Sequence, residues 1–64
     1  MSLKDYRPLT ISLRQMAEKV GISAAYLSEL EHGKKVPSLE MAVRLAHGYG
    51  CDLELIANIF VKEK

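Results

Sequence analysis

The 64-residue chain has one cysteine, two prolines and no tryptophan, and its nine Lys and Arg against eight Asp and Glu leave a net charge of only +1. Each shortage excludes something. The lone thiol, Cys51, cannot close an internal disulfide, and the N-terminus has no charged stretch followed by a long apolar run, so a reducing cytoplasm is the expected home. No apolar run approaches the roughly 20 residues needed to span a bilayer, which removes the membrane as a partner. The strong basic excess by which many nucleic-acid binders release counterions from phosphate is missing. Any attraction to nucleic acid must therefore come from where the cations sit. His32, His47 and Cys51 do not read as a zinc site, because structural zinc takes four ligands in paired short spacings, and no metal or other cofactor is expected. Dispersed serines and carboxylates give no pairing of base and nucleophile, and the chain is small for an enclosing pocket, so an enzyme is not expected.

What is present points to one compact domain over residues 1–64. Nearly half the residues are hydrophobic, and no low-complexity or Pro/Gly/Ser-rich stretch marks disorder or a linker. A chain this short buries only about 60% of the surface it exposes when unfolded, so its stability margin is thin and a partner subunit would help.

Alternating runs of β-branched and aromatic residues do not appear, while helix punctuation recurs at short intervals, and the expected class is all-α with five helices. Ser2 and Asp5 cap a brief first helix that Pro8 ends. Ser12 with Gln15 forms a capping box for a second, whose Leu13, Met16, Ala17 and Val20 keep helical spacing up to Gly21. After the tight turn Val20-Gly21-Ile22-Ser23, Ser23 caps a third helix with Leu27 and Leu30 inward and Gly33 at its exit. Pro37-Ser38 starts a fourth, with Leu39, Ala42, Val43, Leu45, Ala46 and Tyr49 as its apolar set, Gly48 softening its last turn and Gly50 stopping it. Asp52 caps a fifth, from Leu53 to about Val61. Leu53, Ile56, Ala57, Phe60 and Val61 make one face of it, and Leu55 and Ile59 widen that face beyond what one core contact requires.

The run from Leu13 to Lys34 combines small Ala17 at a helix crossing, Gly21 in the turn, Ile22-Ser23 at the entry, Leu27 and Leu30 inward, and Glu31-x-Gly33-Lys34 at the exit, followed by Pro37-Ser38-Leu39. In this combination the chain resembles the phage-repressor and Cro-like (XRE-type) helix-turn-helix family, over roughly Ile11 to Phe60. The resemblance implies a compact, five-helix, lambda-repressor-like domain with a central helix-turn-helix at about residues 12–33. It implies a DNA-binding transcriptional regulator that lays its second motif helix in a major groove. The physics agrees, since two short helices joined by a Gly-containing turn can cross closely only where a small residue permits.

On that reading the base-facing positions are those off the Leu27/Leu30 face: Ser23, Ala24, Ala25, Ser28 and Glu29. Family members commonly place Gln, Arg, Lys or Asn there for bidentate bonds to base edges. Two alanines, two serines and a glutamate offer thinner readout: a thymine methyl for Ala, either kind of edge for Ser, a cytosine amino group for Glu29. Arg14, Tyr26, Lys34 and Lys35 are the expected phosphate contacts, although Lys34-Lys35 outside such a motif would be an ordinary solvated loop. The resemblance also implies that Glu31 pairs with an arginine, either Arg7 or Arg14. Leu55, Ile59 and Phe60 either complete the core or form a two-fold dimer contact that spaces two motif helices about 34 Å apart, and the homodimer is favoured. A repressor is expected over an activator, because no separate activation domain fits. The alternative is a protein-interaction module on the same fold, antitoxin-like or anti-activator, binding a second regulatory protein through its fifth helix.

Overall fold

Three serines set the helix starts. In the computed structural model, which describes residues 2–61, Ser12 Oγ accepts the Gln15 backbone N–H at 3.1 Å while the Gln15 side chain accepts the Ser12 N–H at 2.9 Å. Ser23 and Ser38 likewise accept from the N–H three residues on, at 3.1 and 3.2 Å. Each bond satisfies an N-terminal donor that has no partner inside its helix. The helices that follow are α1 (Leu13–Val20), α2 (Ala24–Glu31) and α3 (Leu39–Tyr49). A fourth, α4 (Leu53–Phe60), begins at Asp52, whose carboxylate makes no capping bond and acts only as negative charge near a helix N-terminus.

The expected first helix is instead a single 3-10 turn, Leu3–Tyr6, so the described residues hold four α-helices rather than five. The Ser2 N–H does reach the Asp5 carboxylate at 3.0 Å, but Arg7 is already extended. The proline that follows disfavours helical geometry at Arg7 and has no N–H to continue the ladder.

Gly21 ends α1 at φ 89°, a left-handed conformation that L side chains resist. Its N–H and that of Ile22 both bond the Ala17 carbonyl, at 2.8 and 3.0 Å, and the chain turns into α2 within three residues. Gly48 has a packing role in α3. It is buried, and a Cβ there would stand 2.7 Å from Val20 Cγ2, so glycine is what lets α1 and α3 pack in direct contact.

Leu3, Met16, Ala17, Val20, Leu27, Leu30, Ala42, Leu45, Ala46, Tyr49 and Ile56 form the core, the larger of them worth about 1.5–3 kcal/mol each in apolar burial. The expected apolar faces of the last two helices are only partly used. Leu39 and Val43 on α3 are exposed, as are Leu53, Ala57 and Val61. Only Ile56 of α4 is fully inside, with Ile59 and Phe60 packed half-buried against the core. Their spacing is helical, but α4 packs against α3 and, among the described residues, no further element covers the outer side of that pair.

Candidate nucleic-acid interface

α2 has two unlike sides. At about 100° per residue, Leu27, Leu30 and Glu31 share the inner one, and all three are buried. Glu31 is the buried charged residue of the core, 2% exposed. Its Oε2 accepts from Arg7 Nε at 2.9 Å and from the Tyr49 hydroxyl at 2.6 Å, and Arg7 also donates to the Ile11 carbonyl at 2.9 Å. Arg7 is therefore Glu31's partner, and Arg14 stands exposed on α1. The network ties the N-terminal segment, α2 and α3 to one carboxylate. Burial, and then the hydrogen bond to Glu31, hold the Tyr49 hydroxyl well above the ordinary tyrosine range. Burial and the neighbouring Asp52 carboxylate also push the half-buried Cys51 thiol up, which keeps it protonated.

The outer side carries small and polar groups. Ala25 is exposed, and Ser28 and Glu29 are partly so. Ser23 stands exposed at the N-cap, its oxygen accepting from Tyr26 N–H while its own proton stays available to donate. Ala24 and Tyr26 lie half-buried against the core, so helical spacing brings Ala25, Ser28 and Glu29 onto one open surface with Ala24 and Tyr26 at its edges, while Ser23 stands exposed at the start of the helix. Lys34 and Lys35 follow the exit at Gly33 and are exposed. Lys35 Nζ leans to within 3.9 Å of Glu29 Oε1, both side chains about half exposed, a contact worth little in water but one that offsets the negative charge of Glu29.

Two residues take roles that spacing alone does not announce. Tyr49 belongs to the core, and its hydroxyl completes the Glu31 network. His32 lies four residues beyond Ser28 and seven beyond Ala25, and that spacing puts it on the outer side of α2. Among the described residues no three His, Cys, Asp or Glu side chains gather as a metal site would need. Among them, too, no helix is long and apolar enough to cross a membrane. Leu55, Ile59 and Phe60 are half-buried.

Two short capped helices packed together and joined by a turn at Gly21, with the second open along one side, define a helix-turn-helix domain. The chain belongs to the XRE-type helix-turn-helix family, whose description as Helix-turn-helix matches residues 3–56. It is 36% identical over 62 residues to an uncharacterized HTH-type transcriptional regulator of Methanocaldococcus jannaschii, covering 95% of this chain and 89% of that protein. It is 38% identical over 56 residues to the replication factor C small subunit of Thermococcus kodakarensis, 88% of this chain but 6% of that protein. An uncharacterized HTH-type transcriptional regulator of Mycobacterium tuberculosis is 35% identical over 46 residues, 72% of this chain and 33% of that protein. The chain thus spans most of one relative and a minor part of the other two. No solved structure gives a significant match.

Proposed function

We propose that this protein is a cytoplasmic DNA-binding transcriptional regulator, a repressor that occupies its operator as a homodimer with α2 in the major groove. The observation that carries the reading is the outer side of α2, where Ala25, Ser28 and Glu29 stand open to solvent, in a chain whose Arg14, Lys34 and Lys35 are also exposed. Ser23, Ala24, Ala25, Ser28 and Glu29 face the bases, and Arg14, Tyr26, Lys34 and Lys35 hold the phosphates. With so few bidentate groups, specificity rests largely on phosphate positioning, DNA shape and half-site spacing. A bound α2 blocks the same groove for other proteins, which is how occupancy represses. Leu55, Ile59 and Phe60 are assigned to the dimer contact, where the exposed Leu53 and Val61 extend the apolar surface beside them.

One observation favours a second reading, an interaction module that captures another regulator. Val36, Leu39 and Val61 are 66%, 75% and 54% exposed and border one apolar groove between α3 and α4. A salt titration of binding to random and selected duplexes separates the two. The DNA reading expects affinity to fall steeply with salt, and Lys34→Ala to flatten the slope by about one unit. No duplex binding at about 50 mM salt, where phosphate contacts are strongest, would sink it.

A further inference from the structure

His32 is the C-cap of α2, with near-helical backbone angles, and at about 100° per residue it falls inside the arc of about 100° that holds Ala25, Ser28 and Glu29. Its Nδ1 lies 2.8 Å from the Ser28 carbonyl oxygen and 3.5 Å from Ser28 Oγ. A carbonyl oxygen only accepts, so the proton in the shorter contact belongs to Nδ1, and the neutral ring is the Nδ1–H tautomer. Nε2 is then the free atom. It is a bare acceptor when the ring is neutral and a charged N–H donor when the ring is protonated. Because Nδ1–H keeps the same carbonyl partner in both states, protonation changes the charge on this surface without moving the ring.

Among the described residues the charged groups near His32 are few. On its own helix Glu29 stands nearby, while Glu31 is committed inward to Arg7 and Tyr49. The loop beyond brings Lys34 and Lys35, and in the 3-10 turn the Asp5 carboxylate accepts the Ser2 N–H. The 3-10 turn, the loop and α4 present Ser2, Leu3, Val36, Ile59 and Phe60 to the small cleft that His32 shares with them, and none of those carries a side-chain charge.

We propose that His32 is a proton-operated DNA contact, an inference that rests on the DNA-binding reading above. As imidazolium it donates Nε2–H to an acceptor on the duplex, a phosphate oxygen or the O6/N7 edge of guanine. As neutral imidazole it offers such an acceptor only a lone pair. Binding therefore strengthens as pH falls, by at most about tenfold per pH unit for each proton taken up.

The test is duplex binding at constant ionic strength between about pH 8 and about pH 5.5, the range in which histidine charge changes. The wild-type protein should gain affinity on acidification, His32→Gln should bind with a flat profile near the wild-type alkaline level, and His32→Arg should bind tightly and flat. A gain common to random and selected duplexes assigns the acceptor to phosphate, and a gain confined to one base position assigns it to guanine. If His32→Gln keeps the wild-type profile, if His47→Gln abolishes it, or if binding does not change with pH, the inference is overturned while the DNA reading stands. Absence of binding under every condition overturns both. Nitrogen-15 NMR of the free protein gives an independent check: neutral His32 should show the Nδ1–H tautomer, and an Nε2–H tautomer would refute the mechanism.

Discussion

Along its inner side α2 carries Leu27, Leu30 and Glu31, sealed from solvent and, in the case of Glu31, bonded to two partners from distant parts of the chain. Along its outer side the same helix carries Ala25, Ser28, Glu29 and His32, whose side-chain contacts are local or to the adjoining loop. The backbone between them is continuous, so a substitution on one side should act on folding and on the other side on recognition. A domain this small has little stability to spare, which makes that separation a measurable property of individual residues.

The inner side should break first and hardest. Arg7→Ala leaves the Glu31 carboxylate, 1% exposed in its side chain, without its cationic partner. An uncompensated buried charge of that kind costs about 3–5 kcal/mol. Urea denaturation should show a large fall in midpoint with little change in slope. A loss under about 1 kcal/mol would mean that the carboxylate finds water once the arginine is gone, and the inner side would then be less sealed than its burial implies. The cost measures the orphaned charge and not the net worth of the pair, since apolar replacements of a whole buried ion pair are often neutral or stabilising.

Tyr49→Phe is the next step down, because Glu31 keeps Arg7 and loses only the hydroxyl at 2.6 Å. A hydrogen bond to a charged group is worth about 1.5–3 kcal/mol. The folded state holds the Tyr49 proton more tightly than the unfolded chain does, where tyrosine ionises near about pH 10. Below that pH both states keep the proton and the contribution is complete. Above it the unfolded state releases a proton that the folded state retains, and stability falls as pH rises. The difference between wild type and Tyr49→Phe should therefore be constant through neutral pH and shrink above about pH 10. A difference that does not shrink there would remove Tyr49 as the source of the alkaline loss.

These two residues also mark how far the sequence could be read. Ser12, Ser23, Ser38 and Gly21 act on backbone groups a few positions away, and their roles were legible because the physics is local. Glu31 was recognisable as half of an ion pair, but Arg7 and Arg14 were equivalent candidates. Only the extended path through Pro8 brings Arg7 across the 24 residues that separate it from Glu31. The packing role of Gly48 stays hidden for the same reason, its constraint coming from Val20 on another helix. Leu39 and Val43 keep core spacing, yet both are exposed among the described residues. The outer side of α2 followed directly from the positions of Leu27 and Leu30, whereas the Lys35 contact with Glu29 and the His32 contact with the Ser28 carbonyl depend on where the chain goes after Gly33, which spacing alone does not set.

Ala25→Arg should have the smallest effect on folding and the most telling effect on recognition. Ala25 is exposed and belongs to no core contact, so the change in stability should stay within about 0.5 kcal/mol. Arginine at that position would offer the bidentate donor pair that the native surface lacks, and guanine is the base that pairs best with it. Selection from a random duplex library should then return sites enriched in guanine at one position relative to those bound by the wild-type protein. A rise in affinity spread evenly over all sequences would show the new cation reaching phosphate alone, which would remove Ala25 from the base-facing set and favour the interaction-module reading. A stability loss above about 1 kcal/mol would instead show that the outer side is packed after all, and the division between the two sides of α2 would fail at the residue chosen to define it.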